Sequence, residues 1–333
     1  MRLTPSFLIP HRSSLRSLTL ILGAIVSSLI PLPSSLLWAS SAGTTGFELF
    51  RTDGSARNSA LAGTQIAVSG GLHNLFSNPA GLADIDRPTA GVGFFKHVLD
   101  LNSGNLAYAH PIQRTSTLAL GITYFDYGQF DKADENGQQI GDFGATDILV
   151  TAAAARELKP NLLGGVSLKY LNSTIDSYSA SAVAADIGII YHTAYEGWDV
   201  GGGVYNIGFA TSAFLENKDD LPTTYRLGLS VPLEHLPVRF SFGGEYTIAE
   251  GIRGAGGLEL SLTKFLQGRI GYNTIGLDQR VGLDRDALAG FSGGLGIITK
   301  NITFDYSLSS YGEIGFLNRF TLSTALPGGR EGR

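Results

Sequence analysis

The sequence is dominated by a period-two alternation of apolar residues with polar or small ones. It runs from about residue 89 to residue 326 in segments of roughly ten residues. In residues 117–124, four apolar side chains fall on one face of an extended strand: Leu118, Leu120, Ile122 and Tyr124. Alternation of this kind predicts β-strands with one apolar face. Ten-residue strands are long for soluble sheets but suit strands that cross a membrane at a tilt.

The pattern divides into about 14 strands joined by two kinds of connection. The predicted strands are 89–98, 104–111, 115–127, 144–156, 161–172, 179–193, 198–208, 223–232, 237–248, 252–262, 267–275, 287–298, 301–310 and 314–326. Every second connection is a tight turn, whereas others are longer and polar, notably 128–143, 209–222 and 276–286. An even number of strands, with short turns at one end and longer loops at the other, predicts an all-β fold, a transmembrane antiparallel β-barrel.

The first 42 residues have the pattern of a signal peptide. A basic start precedes an apolar run at residues 18–30, and small residues lead up to Ala42. The alternative is a retained membrane anchor, but the run is shorter than the roughly 20 residues that a spanning helix needs. We therefore expect cleavage near Ala42 and, with the barrel, a location in the bacterial outer membrane, where lipid surrounds the protein.

Residues 43–88 lack the ten-residue period and are too few for an independent core. They contain Asn78, Pro79 and Ala80, in which the asparagine caps a helix and the proline takes its first position. We expect a small N-terminal hatch with short helices, followed by the barrel (89–326) and a C-terminal tail (327–333). The hatch also supplies candidate side chains for lining a hydrophobic-ligand pocket: Phe47, Leu49, Phe50, Leu75 and Phe76.

Several charged residues occupy the polar face of their strands. They are Lys169, Asp186, Arg226, Glu245, Glu259, Arg269, Asp305 and Arg319. A charge facing hydrocarbon costs several kcal/mol, so these side chains are predicted to face the lumen. Because both signs occur, we expect ion pairs within the lumen and with the hatch; a role in substrate passage is the alternative.

Composition excludes several classes of function. The 333-residue chain has no cysteine, which removes disulfides and thiol chemistry, and its net charge of −5 leaves no basic stripe for nucleic acid. Six histidines show no metal-binding spacing, and no nucleophile elbow is present. We therefore predict no enzyme activity, catalytic residue, metal site or cofactor.

The order of several short motifs resembles the PorV/PorQ family of outer-membrane proteins. The resemblance rests on residues 56–64 (ARNSALAGT), 67–68, 78–82 (NPAGL), 304–308 (FDYSL) and 318–323 (NRFTLS). That family is similar to the FadL long-chain fatty-acid transporters, which implies a 14-strand barrel, an N-terminal hatch and an Asn-Pro-Ala motif within it.

The resemblance implies two functions. In the first, the protein is an accessory or shuttle protein of a type IX-like secretion system, and its loops 128–143 and 209–222 engage secretion-system proteins or secreted substrates. In the second, the protein is a FadL-like channel for hydrophobic small molecules, and Asn78–Ala80 with the rest of the hatch gates the ligand.

Overall fold

A computed structural model describes residues 46–97, 101–113, 115–195, 197–248, 250–279 and 284–329. The predicted signal peptide lies outside these residues. No helix among them is long and apolar enough to span a membrane.

Fourteen antiparallel strands form a closed barrel in which every strand pairs with its sequence neighbours and β1 pairs with β14. This confirms the predicted fold class. The strands are β1 (Thr89–Lys96), β2 (Asn102–Gln113), β3 (Ser116–Ala133), β4 (Gln139–Lys159), β5 (Leu162–Ile175), β6 (Tyr178–His192), β7 (Asp199–Ser212), β8 (Thr224–Pro232), β9 (Val238–Thr247), β10 (Gly251–Ser261), β11 (Leu266–Asn273), β12 (Phe291–Ile298), β13 (Ile302–Ser310) and β14 (Phe316–Ala325).

The barrel wall is apolar on the outside. On β3, Leu118, Leu120, Ile122 and Tyr124 are between 45% and 51% exposed, while Ala119 and Thr123 between them are buried. An apolar surface that continues around the barrel would be unstable in water, and it matches the hydrocarbon of a bilayer. The alternation read from the sequence is therefore the alternation between lipid and lumen.

The two ends of the barrel differ, but less regularly than predicted. We call the end that holds Thr89 and Ala325 the turn side and the opposite end the loop side. On the loop side, residues 213–223 and 274–290 form long connections, whereas residues 176–177 and 248–250 form tight ones. The loop at 274–290 contains a short helix, Ile275–Asp278, and a 3-10 turn, Asp284–Leu288.

The predicted loop at 128–143 is largely wrong. Strands β3 and β4 continue through it as a hairpin whose tip is residues 134–138, after a bulge between Asp126 and Gln129. Phe130 and Phe143 stack across the hairpin with their ring centroids 5.4 Å apart. The polar composition of residues 128–143 indicates a segment outside the membrane and therefore favours a loop. Backbone pairing between two strands can continue beyond the membrane surface, so most of these residues are still in strands.

The hatch, defined here as the described residues 46–88, consists of short helical pieces. It contains helix α1 (Ala56–Ala60), helix α2 (Asn74–Ser77) and 3-10 turns at Glu48–Arg51, Gln65–Ala67 and Pro79–Asp84. The Ser55 side chain accepts a hydrogen bond from the Asn58 N–H and so caps α1. Helices this short are not stable alone, so their order depends on contacts with the wall.

Those contacts are made where the wall carries glycine. A Cβ added at Gly165 would meet the backbone of Pro79 and Ala80, and one at Gly201 would lie 2.5 Å from the Ile66 carbonyl oxygen. On five further strands an added Cβ would also come close to the hatch, to its backbone or to its side chains: these glycines are Gly188, Gly228, Gly257, Gly271 and Gly294. We call these seven residues the glycine belt. Their missing side chains let the hatch approach the wall.

Candidate functional site

The hatch and the inner wall are joined by a buried ion-pair chain on the turn side of the lumen. Arg57 of α1 donates to both carboxylate oxygens of Glu259 on β10, and Arg269 on β11 donates to Glu259 at 2.7 Å. Arg269 also donates to Asp305 on β13. Two arginines therefore alternate with two carboxylates, which compensates the cost of burying each charge.

A second charged group lies on β5, β6 and β7. The Lys169 ammonium pairs with Asp186 at 2.7 Å and donates to the Asn206 side-chain oxygen at 2.9 Å. Asn206 has a φ of 58° at a β-bulge, and its backbone N–H donates to Asp186. The bulge turns this N–H away from the strand ladder and toward the carboxylate, so the irregular backbone completes the shell of a buried charge.

A third group lies on the loop side. Arg226 of β8 pairs with Glu245 of β9 at 3.3 Å and stacks over Tyr205, 4.9 Å from its ring centroid. Glu250 forms ion pairs with Arg51 of the hatch and with Arg253 of β10, each with an N–O distance of 2.6 Å.

Arg319 differs from the other arginines. On β14, its guanidinium donates to the Ser59 hydroxyl of α1 and lies over the Phe95 ring, 5.7 Å from its centroid. It is 6% exposed, and among the described residues its Nε has no hydrogen-bond partner.

All eight charged residues predicted for the lumen face inward, but they form separate groups rather than one network. Two hatch arginines, Arg51 and Arg57, complete these groups, and sequence analysis did not single them out. Both lie in a segment without periodicity, so no pattern indicated their direction. The only indication of their role was indirect: carboxylates predicted to face the lumen need cations as partners when they are buried.

A further missed contact holds the end of the hatch. His192, the last residue of β6, contacts Asp84 of the hatch through Nε2 at 3.2 Å and Asp199 of β7 through Nδ1 at 2.7 Å. Asp84 also accepts a hydrogen bond from the Ser69 hydroxyl at 2.6 Å. The hatch is therefore bonded to β6 as well as to β10 and β14.

The five apolar hatch residues predicted to line one pocket are not brought together. Phe47, Leu49 and Phe50 pack in one core cluster with the wall around Leu171, whereas Leu75 and Phe76 pack in or against another. Among the five, only Leu49 and Phe76 line the cavity described below. A ligand-lining role for the group stays a prediction.

Asn78, Pro79 and Ala80 fasten the hatch to the wall. The Asn78 side-chain oxygen accepts the Ala80 N–H at 3.1 Å, and Pro79 starts the 3-10 turn. The Asn78 amide donates to the carbonyl oxygens of Ile66 (2.7 Å) and Ile189 (3.1 Å). Asn78 thus joins two parts of the hatch and strand β6 with one fully buried side chain.

Two cavities between the hatch and the wall concern the proposals below. The larger, the loop-side cavity, has a volume of about 550 Å³ and lies among the hatch, β8–β10 and β12–β14. Its apolar lining includes Leu49, Ile66, Phe76, Phe125 and Leu317, and its charged lining includes Asp53 and the residues around Glu250. The smaller, the turn-side cavity, has a volume of about 340 Å³ and is lined by His73, Arg57, Arg269 and Asp305 among others.

Burial controls the protonation of two hatch residues in these cavities. Burial raises the pKa of Asp53 to about 6, although Arg319 and the Ser55 N–H oppose the shift. Burial lowers the pKa of His73 to about 3, assisted by the positive charge of Arg57. His73 is therefore a neutral imidazole at neutral pH. Among the described residues, no group of histidines and carboxylates could hold a metal ion.

Comparison with known proteins supports the fold and no closer relationship. No protein-family model matches the sequence, and no curated protein is a detectable relative. Among solved structures, the toluene transporter TbuX of Ralstonia pickettii is similar with a TM-score of 0.57 and 13% identity. The match covers 81% of this chain and 97% of that one.

Two other structures show the same likeness. The toluene transporter TodX of Pseudomonas putida matches with a TM-score of 0.54 and 12% identity, over 82% of this chain and 96% of that one. A Pseudomonas aeruginosa FadL homologue matches with a TM-score of 0.51 and 10% identity, over 78% and 95%. The chain thus has the FadL-like 14-strand barrel fold of outer-membrane channels. These neighbours are transport proteins, not enzymes, and the finer PorV/PorQ resemblance stays a prediction.

Proposed function

We propose that this protein is an outer-membrane channel through which small hydrophobic molecules enter the cell. The observation that carries the proposal is the loop-side cavity, a space of about 550 Å³ between hatch and wall. That volume is in the range of small-molecule sites in proteins. Transporters of toluene share the fold, which supports a ligand of similar character.

The lining of the cavity favours a molecule with an apolar body. Leu49, Phe76 and Phe125 offer apolar contact surface, and much of the surrounding charge is already paired, as in Arg51–Glu250. Within the part of the chain that the structure describes, one side-chain oxygen of Asp53 and the Nε of Arg319, both at the cavity, have no hydrogen-bond partner. The cavity therefore suits a hydrophobic compound that carries one hydrogen-bonding group better than a bare hydrocarbon.

The proposal is tested by accumulation of a labelled monoaromatic compound in a Gram-negative host that lacks its own channel of this fold. We expect faster accumulation when the chain is present. Ala255→Trp places an indole in the loop-side cavity, where Ala255 is part of the lining, and is expected to slow accumulation. The matched control, Ile252→Trp, lies on the outer face of the same strand and is 85% exposed. Equal accumulation with and without the chain would refute the proposal.

The accessory role in secretion is a second candidate, and one feature favours it. The β3–β4 hairpin extends to a tip at residues 134–138 and exposes Ile140 (61%) and Phe130 (43%), which suits a protein partner. Co-purification from outer membranes is the test. A stoichiometric secretion protein that is lost when residues 129–143 are replaced by a short turn would support this role. A bound lipid with no protein partner would contradict it.

A further inference from the structure

The loop-side and turn-side cavities are separated by part of the hatch. Among the described residues, Phe76 is the only one that lines both cavities. It belongs to α2, and its side chain is half-buried. A molecule that passes from one cavity to the other along the lumen therefore meets Phe76.

The ring of Phe76 fills the space between the hatch backbone and the wall. On one side it lies against Gly54, where an added Cβ would be 2.6 Å from the ring. On the other side it reaches Gly121 of β3, where an added Cβ would be 3.7 Å from the ring edge. The Leu75 side chain lies closer still to Gly121, 2.8 Å from the added Cβ, so Leu75 and Phe76 together fill the space beside the wall, and Phe76 is the one of the two that borders both cavities.

The backbone opposite the ring is fixed to the wall. The Gly54 carbonyl oxygen accepts a hydrogen bond from the Asn105 side chain of β2 at 2.8 Å. Two residues later, the Ala56 N–H donates to the Thr321 hydroxyl of β14 at 2.9 Å. Because these bonds hold the Gly54 segment on two strands, the Phe76 side chain is the part of the barrier that is free of hydrogen bonds to the wall.

The Phe76 ring is apolar, while charged side chains line both cavities beside it. Asp53 and Arg319 line the loop-side cavity, and His73, Arg57 and Arg269 line the turn-side cavity. An apolar constriction excludes ions because they would lose their hydration, and a flat apolar molecule has no such cost.

We infer that Phe76 is the specificity-determining constriction of the lumen: its ring blocks ions and bulky polar solutes and yields to slim apolar molecules. The inference rests on the proposed channel function and names the residue that decides what that channel passes.

The first test is ion conductance in planar lipid bilayers. The wild-type protein is expected to show little conductance, and Phe76→Ala to show at least a several-fold increase, because the cavities then join. The matched control is Phe50→Ala, since Phe50 is also a buried hatch aromatic but lines neither cavity. Equal conductance of Phe76→Ala and wild type would overturn the inference, as would an equal increase in Phe50→Ala.

A second measurement covers the case in which Phe76→Ala loosens the whole hatch. The chain has no cysteine, so Leu72→Cys places a single thiol in the turn-side cavity. A charged thiol reagent added from the loop side should change the current of the Leu72→Cys, Phe76→Ala protein. The reagent should not change the current of the Leu72→Cys single variant or of the Leu72→Cys, Phe50→Ala double variant. Equal modification in all three proteins would place the passage elsewhere.

Failure of this inference and failure of the proposed function are distinguishable. Accumulation of the labelled monoaromatic compound tests whether wild-type protein passes hydrophobic molecules at all. Conductance and thiol modification test where the barrier lies. If the wild-type protein passes the compound but Phe76→Ala gains no conductance, only the assignment of the constriction to Phe76 is refuted.

Discussion

Arg57 in the hatch donates two hydrogen bonds to Glu259 on the barrel wall, at 3.0 and 2.8 Å. The two residues are 202 positions apart in the sequence. Their contact is one of the bonds that hold a segment without its own core inside a barrel that closes around it.

Removing either partner should loosen the hatch, to different extents. Arg57→Ala leaves Glu259 paired with Arg269, so we expect a loss of about 1–3 kcal/mol in unfolding free energy. Glu259→Ala leaves Arg57 without its carboxylate in a buried site, and we expect about 3–5 kcal/mol. Urea unfolding in detergent, followed by heat-modifiable gel migration, measures both.

The control for this pair is Lys132→Ala. Lys132 pairs with Asp176 at 2.6 Å but is exposed, so solvent screens the pair and its removal should change the unfolding free energy little. If Arg57→Ala cost no more than Lys132→Ala, the Arg57 contact would have no special role in holding the hatch.

The glycine belt predicts opposite results for two adjacent residues of β10. Gly257→Ala would put a Cβ 2.7 Å from the Thr64 hydroxyl and 2.9 Å from the Leu61 carbonyl oxygen, so the hatch must shift. Gly256→Ala faces outward, and its nearest neighbour, the Phe242 ring, is 3.9 Å away. We expect a loss of about 1–3 kcal/mol for the first and little change for the second. Limited proteolysis of the hatch is the measurement, and equal cleavage rates would contradict the belt.

Asn78 should tolerate neither loss of its amide nor a charge. Asn78→Ala removes the cap of Ala80 and leaves the carbonyl oxygens of Ile66 and Ile189 without this donor, for about 1–3 kcal/mol. Asn78→Asp keeps the capping oxygen but loses both donor bonds and buries a charge. We therefore expect the urea midpoint of Asn78→Asp at neutral pH to be no higher than that of Asn78→Ala. A wild-type midpoint for Asn78→Asp would show that capping alone is the role of Asn78.

Stability should depend on pH through Asp53. Its pKa is raised from 3.8 to about 6 in the folded protein, chiefly by burial. Ionisation therefore opposes folding: the stabilisation from the protonated form is complete below pH 4 and is lost as pH rises through about 6. Asp53→Asn should exceed wild type in urea midpoint above pH 6, and the difference should shrink toward pH 4.

The comparison residue is Asp134 at the hairpin tip. Hydrogen bonds, first that from the Gln138 N–H, lower the pKa of this exposed carboxyl, so it stays ionised from pH 5 to pH 7. Asp134→Asn should therefore not change the slope of stability in that range. A slope that is the same in Asp53→Asn and wild type would contradict the assignment to Asp53.

Much of the barrel could be predicted because its information is local. Leu120 and Ala119 face opposite sides of the wall because successive side chains of a strand alternate, and the larger apolar residue faces the lipid. The 14 strands, and the inward direction of charges such as Lys169 and Glu259, follow from that rule and from the cost of charge in hydrocarbon. The rule does not predict where strand pairing stops, as the β3–β4 hairpin shows.

The hatch could not be predicted in the same way. Its pieces have no period, and their positions depend on residues far along the chain, as Asn78 depends on Ile189 and Gly188. No sequence pattern distinguishes the adjacent glycines of β10 from one another. The fold shows that Gly257 makes room for hatch backbone while Gly256 does not.

The sequence by itself determined the closed barrel, because alternation and turns act between neighbouring residues and neighbouring strands. Tertiary structure alone decided that Arg57 meets Glu259, that Leu49 and Leu75 lie in different clusters, and that Phe76 borders both cavities. Those relationships arise from packing an aperiodic segment against a wall formed by strands from the whole chain, and no local pattern encodes them.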